Sequence, residues 1–228
     1  MIINVIATGS QGNLYEIIDS RGNSLLLEAG VGRAEYAKYR EGEKVPEMCI
    51  ITHKHTDHAY YAGQFEMICE VHKWKRTAQS ESFKAFGYVV EHGGVLCYAY
   101  LIKFLKDDDF LFFMTDAVWS DEYFKQIFDD LKKYNVRKFL IECNYNDYLY
   151  HLATDEQRVG CDRHFSDNDV VNFIRAVGTP TPRIITIHGS NRLSGNSYTK
   201  KYISKKFPLG RVMVANGGTN GVKNLFKI

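Results

Sequence analysis

Four side chains that can ligate a metal ion, His53, His55, Asp57 and His58, stand within six residues of the run Ile50 to Gly63, IITHKHTDHAYYAG. The apolar residues Met48 to Ile51 lead into them, so the cluster falls where a buried strand ends. His53 and His55 are two apart. On extended backbone they project to the same side and can share one ion. Asp57 and His58 follow where the chain must turn and can aim at a second ion nearby. Imidazole and carboxylate donors suit zinc, and also manganese or iron where oxygen donors are numerous. The alternative is a solvated, histidine-rich loop without metal, and four donors packed directly behind a strand pattern weigh against it.

The elements that must position this cluster can be read on either side. Ile2 to Ala7 is an apolar strand ending in the polar loop Thr8-Gly9-Ser10-Gln11-Gly12-Asn13, and Leu14 to Ile18 is a second strand. Such a loop is most often a turn, but its backbone N–H groups and the Asn13 amide could also face an anion near the metals. Asp19 to Asn23 is a hairpin turn, Ser24 to Leu27 a strand, and Arg33 to Tyr39 a helical patch. After the cluster, His72 to Phe86 reads as a helix carrying Lys73, Lys75, Arg76 and Lys84, with Phe83 and Phe86 toward the core. Strands follow at Tyr88 to Val90, Val95 to Phe104, Phe110 to Met114, Lys138 to Ile141, Arg183 to Ile187 and Arg211 to Ala215. Ser120 caps a helix from Asp121 to about Tyr134. Ser166, with Asp169 three residues on, opens a helix through about Val177. A last helix spans about Ser197 to Lys206, and Gly217 to Ile228 is a loose tail. Tyr145 to Arg163 has no strong period and reads as a lid or a dimer contact.

The 228 residues, 45% hydrophobic and without low-complexity sequence, suit one globular domain spanning 1–228. No apolar run approaches a membrane span, and the N-terminus lacks the features of a signal peptide. The five cysteines are odd in number and scattered without C-x-x-C spacing, which fits small buried thiols in a reducing cytoplasm. A net charge of +2 gives no general electrostatic footprint for nucleic acid.

Beyond the opening cluster, His92, Asp116, His164 and His188 are the histidines and aspartate that stand near the ends of apolar runs. Strand ends on one side of a sandwich converge on one rim. His72 and His151 fit no such place and read as ordinary surface or lid residues.

HKHTDH resembles the His-x-His-x-Asp-His signature of metallo-β-lactamase-fold hydrolases, and the patterns TDAVWSD, IECNYND, RHFSDNDV and TIHGSNR carry the similarity along nearly the whole chain. TGSQGN followed by LLLEAG resembles the opening of the WalJ branch, with Glu28 where that branch has Asp. The resemblance implies an α/β fold: an αββα sandwich of two mixed sheets flanked by helices. It assigns one metal to His53, His55 and His92 and a second to Asp57, His58 and His188, with Asp116 bridging. The expected cofactors are thus two divalent ions, Zn2+ or Mn2+. Two such cations about 3.5–4 Å apart make water a nucleophile at neutral pH and stabilise charge on a phosphoryl oxygen.

His164, in HFSDNDV, resembles the histidine of tRNase Z-type phosphodiesterases that protonates the leaving oxygen. With Asp57 and Asp116 it completes the expected catalytic set. Ser190 and Arg192 follow His188 at a spacing similar to phosphate-contacting residues. Asn13, Tyr145 and Tyr148 complete the expected substrate contacts, the tyrosines by stacking on a base. A lactamase would need no proton donor like His164. The near-neutral charge and the lack of an exosite arm or inserted domain favour a small substrate, a 3′,5′-cyclic mononucleotide as in the phage anti-Pycsar group. A WalJ-like exonuclease or tRNase Z-like nuclease is the alternative, and a non-enzymatic metal-stabilised module a third. The expected partners are a small nucleotide and a second copy of the chain, with no membrane.

Overall fold

Near-continuous apolar runs such as Met48–Ile51 and Phe110–Met114 decide the architecture: successive side chains point to opposite faces, so both faces of the sheet are apolar and demand covering layers. The computed structural model describes residues 1–190, 192–215 and 224–228. One sheet comprises β1 (Ile2–Ala7), β2 (Leu14–Ile18), β3 (Ser24–Leu27), β4 (Met48–Ile51), β5 (Glu70–Lys73) and β13 (Asn224–Lys227), in the order β13-β1-β2-β3-β4-β5. The other comprises β6 (Thr77–Gln79), β7 (Phe83–Val90), β8 (Cys97–Phe104), β9 (Asp109–Met114), β10 (Lys138–Glu142), β11 (Arg183–Ile187) and β12 (Arg211–Val214), in the order β12-β11-β10-β9-β8-β7-β6.

Leu25, Leu27, Met48 and Ile50 of the first sheet meet Tyr100, Ile102, Leu111, Phe113, Leu140 and Ile185 of the second in one apolar layer. The residues between them point outward. Leu26, Cys49 and Ile51 pack with Tyr36 of α1 (Arg33–Tyr39) and Phe65 of α3 (Ala62–Phe65). Leu101, Phe112 and Phe139 pack with α4 (Asp121–Lys133) and α7 (Asp167–Val177), where Phe112 stacks on Phe173 at 5.3 Å. The αββα sandwich of two mixed sheets expected from the sequence is the architecture observed.

Both caps form as read. Ser120 Oγ accepts from the Tyr123 N–H, and Ser166 and Asp169 make a reciprocal capping box. The Tyr145–Arg163 region holds two short helices, α5 (Asp147–Leu152) and α6 (Asp155–Arg158), and α8 (Asn196–Lys206) lies near the end of the chain.

Three expectations are corrected. His72 to Phe86 is not a helix but parts of β5, β6 and β7. Glu70–Lys73 pairs in register with Met48–Ile51, and β7 pairs residue by residue with β8 from Phe83↔Phe104 to Val90↔Cys97. The helical reading rested on Phe83 and Phe86, whereas Phe83 and Ala85 share the buried face, and cross-strand pairing overrides so weak a local signal. Gly87 belongs to that pairing, since a Cβ there would lie 3.1 Å from the Tyr98 and Tyr100 rings. His72, expected at the surface, is only 6% exposed. The tail is not loose throughout: Asn224–Lys227 pairs antiparallel with β1, while residues 217–223 of that expectation lie outside the described residues.

Candidate metal centre

Strands β7, β9, β10 and β11 run in one direction, and β4 lies parallel to β3 and β5, so chemistry at their C-terminal ends collects on a rim. His53 follows β4, His92 follows β7, Asp116 follows β9, Glu142 ends β10 and His188 follows β11. Asp116 (φ 50°) and His188 (φ 55°) sit in the left-handed region, as does Glu28 (φ 67°) after β3. Each such residue costs roughly 1–3 kcal/mol and is held only where the surroundings over-determine it. Here the turn folds the side chain back across the strand end instead of letting it run on.

The structure brings the sequence-predicted ligands together in two sets. Potential ligand atoms of His53, His55 and His92 lie within 4.8 Å of one another, and so do those of Asp57, His58 and His188. Asp116 lies between them, with Oδ2 3.6 Å from His53 Nε2 and 2.6 Å from His58 Nε2. His55 Nδ1 faces His53 Nε2 at 2.9 Å and His92 Nε2 at 3.2 Å. Ring nitrogens turned toward one another, with burial around them, are a donor set for a shared cation. His188 Nε2 and Asp116 Oδ2 are buried without a well-oriented hydrogen bond, as a ligand atom awaiting an ion would be. The residues present therefore fit divalent cations.

Outer partners orient these ligands. Glu28 is fully buried; its Oε1 accepts from Thr52 Oγ1 at 2.6 Å and lies 3.4 Å from His58 Nδ1. Thr52 Oγ1 is in turn 2.9 Å from His53 Nδ1. The glutamate in place of aspartate thus reaches both ligand histidines. Gly30 is required by close approach, since a Cβ there would fall 1.7 Å from the Asp57 carbonyl oxygen.

Sequence reasoning passed over Glu142, although it stands at a strand end by the same rule that found His188. It is fully buried, and its Oε1 lies 2.6 Å from His164 Nδ1 and 2.9 Å from His188 Nδ1. That carboxylate fixes both rings so that Nε2 is the free nitrogen of each. Asp116 Oδ1 is 3.1 Å from His164 Nδ1. The His164 side chain is 17% exposed against 5% for His188, which leaves His164 the more accessible of the two.

Electrostatics divide the cluster. Burial alone would depress His164, but the Glu142 charge and hydrogen bonds to Asp116 and Glu142 carry it up to about 10. Burial against the Asp116 charge and the Asp57 and Glu142 hydrogen bonds takes His188 up to about 9. His53 goes the other way, down to about 2, through burial and the adjacent His58 charge. Burial opposes ionisation of Asp116, but the His188 and His58 charges hold its carboxyl well below the usual range.

Asn13, expected as a substrate contact, is placed by the structure as an internal tie. It is fully buried; Oδ1 accepts from Gly9 N–H and Tyr15 O–H, and Nδ2 lies 3.2 Å from the Asp57 carbonyl oxygen and from His58 Nε2. Tyr15 O–H is also 3.0 Å from Thr8 Oγ1, which accepts the His188 N–H at 2.7 Å. Asn13, Tyr15 and Thr8 thereby link the Asp57–His58 loop to the His188 loop. Ser190 Oγ accepts from the backbone N–H groups of Arg192 and Leu193, and Arg192 is exposed; Asn191 between them lies outside the described residues. Tyr145 packs on Tyr150 at 5.2 Å and Tyr148 is 63% exposed. Among the described residues, no hydrogen bond or ring contact joins either tyrosine to the histidine cluster.

No family model and no curated protein matches the sequence. Solved structures do. The Bacillus subtilis metallo-β-lactamase fold protein YhfI superposes with a TM-score of 0.70 at 15% identity, covering 99% of this chain and 98% of that one. Yeast PDE1 gives 0.70 at 10% identity over 95% and 97%. The short form of human tRNase Z gives 0.61 at 12% identity over 100% and 99%. The chain has the metallo-β-lactamase fold. At these identities the likeness establishes the fold, and chemistry has to be argued from the site.

Proposed function

We propose that the chain is a metal-dependent phosphodiester hydrolase acting on small nucleotides, 3′,5′-cyclic mononucleotides foremost. The observation that carries this reading is the pairing of His164 with Glu142 beside two adjoining ligand sets. Two divalent ions, zinc or manganese, held by His53, His55 and His92 and by Asp57, His58 and His188 with Asp116 between, would activate water and neutralise phosphoryl charge.

The remaining work falls to the chain itself. A phosphodiester releases an alkoxide, which is a poor leaving group, so a proton has to arrive as the P–O bond breaks. His164 supplies it from Nε2, because Glu142 and Asp116 hold Nδ1 and favour the protonated ring. Glu142 keeps the ring oriented after the proton has left. The attacking water loses one proton, and the carboxylate placed to take it up is that of Asp57, whose side chain is 22% exposed against 3% for Asp116. Such a division of labour suits acyclic and cyclic diesters alike.

The substrate choice rests on charge and on the segment between Glu142 and His164. A net charge of +2 offers no strong field for a long polyanion. Tyr145, Tyr150 and Arg158, whose guanidinium lies over the Tyr150 ring, bring aromatic surface to the segment that links Glu142 to His164. Tyr148, Leu152 and Val159 of that segment are 63%, 68% and 79% exposed, and a second copy of the chain is the partner that would cover them.

A nuclease acting on DNA or RNA ends has one observation in its favour. The turn Lys73-Trp74-Lys75-Arg76 is basic and aromatic, and the Trp74 N–H donates to the Ile51 carbonyl, beside the histidine cluster. A panel of cyclic mononucleotides, cyclic dinucleotides and single- and double-stranded DNA and RNA, assayed with manganese and with zinc, separates the two. Turnover of cyclic mononucleotides is expected. Degradation of nucleic-acid ends with cyclic mononucleotides untouched would transfer the conclusion to the nuclease.

A further inference from the structure

The side of the sandwich where β5 ends one sheet and β6 ends the other holds a cavity of about 340 Å3. His72, Lys75, Thr77, Ala78, Gln79 and Lys84 line it, and none of them belongs to the metal centre. His72 pairs in register with Ile50, which faces the layer between the sheets, so the imidazole turns inward at the sandwich's open flank. Ala78, on the cavity wall, belongs to the same layer. The histidine is 6% exposed, yet among the described residues neither ring nitrogen has a hydrogen-bonding partner. Buried polar atoms are rarely left so.

The surrounding charge says what would satisfy it. Among the described residues, no carboxylate forms an ion pair with Lys75 or Lys84; Lys84 Nζ lies 5.1 Å from the Phe86 ring centre. The acidic group nearest His72 is Glu70, whose Oε1 is 3.5 Å from Nε2 and whose side chain is 67% exposed, free to swing into solvent. Burial holds His72 below its ordinary pKa, with Lys75 adding to that and Glu70 opposing it, so near neutrality the ring is a neutral donor of one N–H. His72 of β5, Lys75 of the turn after it and Lys84 of β7 line one cavity, and their N–H groups form a donor set without a fixed acceptor. Donors of this kind select an oxyanion rather than a cation or an apolar group.

We propose that this cavity is an oxyanion site for phosphate, free or as a phosphate monoester, with Lys75 and Lys84 supplying charge and His72 an N–H. The site is separate from the metal centre and does not depend on the reaction proposed for it.

The test uses metal-loaded protein with 15N-labelled imidazoles, titrated with inorganic phosphate and, in a second arm, with a nucleoside 5′-monophosphate. His72→Gln identifies the ring signal by its loss. A saturable shift of that signal is expected. Lys75→Ala with Lys84→Ala should weaken the interaction by about tenfold, while Glu70→Gln should tighten it a few-fold by removing the competing carboxylate. Equal affinity in the two arms assigns the site to free phosphate; tighter binding of the nucleotide assigns it to a monoester. A His72 signal that stays put through both titrations, or an affinity unchanged in the double-lysine variant, would overturn the proposal. Both lysines are side-chain changes at the cavity wall, so the folded protein remains available for measurement if His72→Gln does not fold.

Discussion

The two halves of the metal centre are built by opposite strategies. On the first sheet, one continuous stretch, Thr52 to His58, delivers His53, His55, Asp57 and His58, and Glu28 braces it from behind. On the second sheet, His92, Asp116, Glu142, His164 and His188 arrive singly from separate connections, two of them in left-handed conformation. The first half is local and needs little more than a strand and a short helix, α2 (Thr56–Ala59), to take shape. The second half exists only once the sheet has assembled. It follows that the first half should tolerate loss of a distant contact, while the second should be sensitive to any change in how its strands align.

Asp116 is where the halves meet, so its removal should have the largest effect. Asp116→Ala is expected to lower turnover by about a thousandfold or more and to reduce bound metal below the two equivalents expected of the unaltered protein by elemental analysis. Near-normal metal content together with near-normal turnover would show that the two sets work independently and that Asp116 bridges nothing.

His164 belongs to the second half but to neither cation set. His164→Ala should therefore keep its metal and lose about 10²–10⁴ in rate on diesters with poor leaving groups. On a nitrophenyl diester, whose leaving group needs no proton, the loss should be slight. Equal losses on both substrates would make His164 a structural residue. Glu142→Gln should show the same substrate dependence with weaker metal retention, because Glu142 holds His188 as well as His164.

The tie between the halves can be cut by itself. Asn13→Ala removes the amide that joins Asp57 and His58 to the Thr8–Tyr15–His188 chain and leaves Gly9 N–H and Tyr15 O–H without their acceptor. Metal affinity should fall about 10–100-fold, with a stability cost of about 1–3 kcal/mol. A variant that loses stability yet titrates metal as before would leave Asn13 a loop-packing residue with no bearing on the site.

The same contrast explains what could be read before the fold was in hand. His53, His55, Asp57 and His58 announce themselves because their spacing carries the chemistry. Ser120 and Ser166 do so because a cap is a local hydrogen bond. Asp116 and His188 were legible from the family resemblance and as polar residues at the ends of apolar runs; the latter rule applies equally to Glu142, which went unread as a site residue. Asn13 reads as facing an anion near the metals because nothing in TGSQGN reveals that its amide is tied to Tyr15 and His58. The stretch from His72 to Phe86 was misread because β5 and β6 are short edge strands whose identity comes from Met48–Ile51 and Phe83–Val90, not from their own residues. Long-range pairing decided each of these cases.

The smallest expected effect separates two histidines, one from each half, by their protons. In metal-free protein, His53 is held down to about 2 and His164 up to about 10, against about 6.5 in the unfolded chain. A depressed histidine stabilises the fold above pH 6.5 and forfeits that contribution as pH falls below it, because the unfolded chain then takes up the proton the fold refuses. A raised histidine stabilises below pH 6.5 and loses its contribution as pH climbs through 6.5 toward 10, where the fold keeps a proton the unfolded chain has released. His53 should therefore act on the acid limb of a stability profile and His164 on the alkaline limb. Chelator-treated His53→Gln should flatten the fall in thermal midpoint below pH 6.5, and His164→Gln the fall between pH 6.5 and 10. Each kcal/mol corresponds to a shift of about 2–4 °C in a chain of this size. If His53→Gln changes only the alkaline limb, or His164→Gln only the acid one, the protonation of these two rings is the reverse of the one argued from their neighbours.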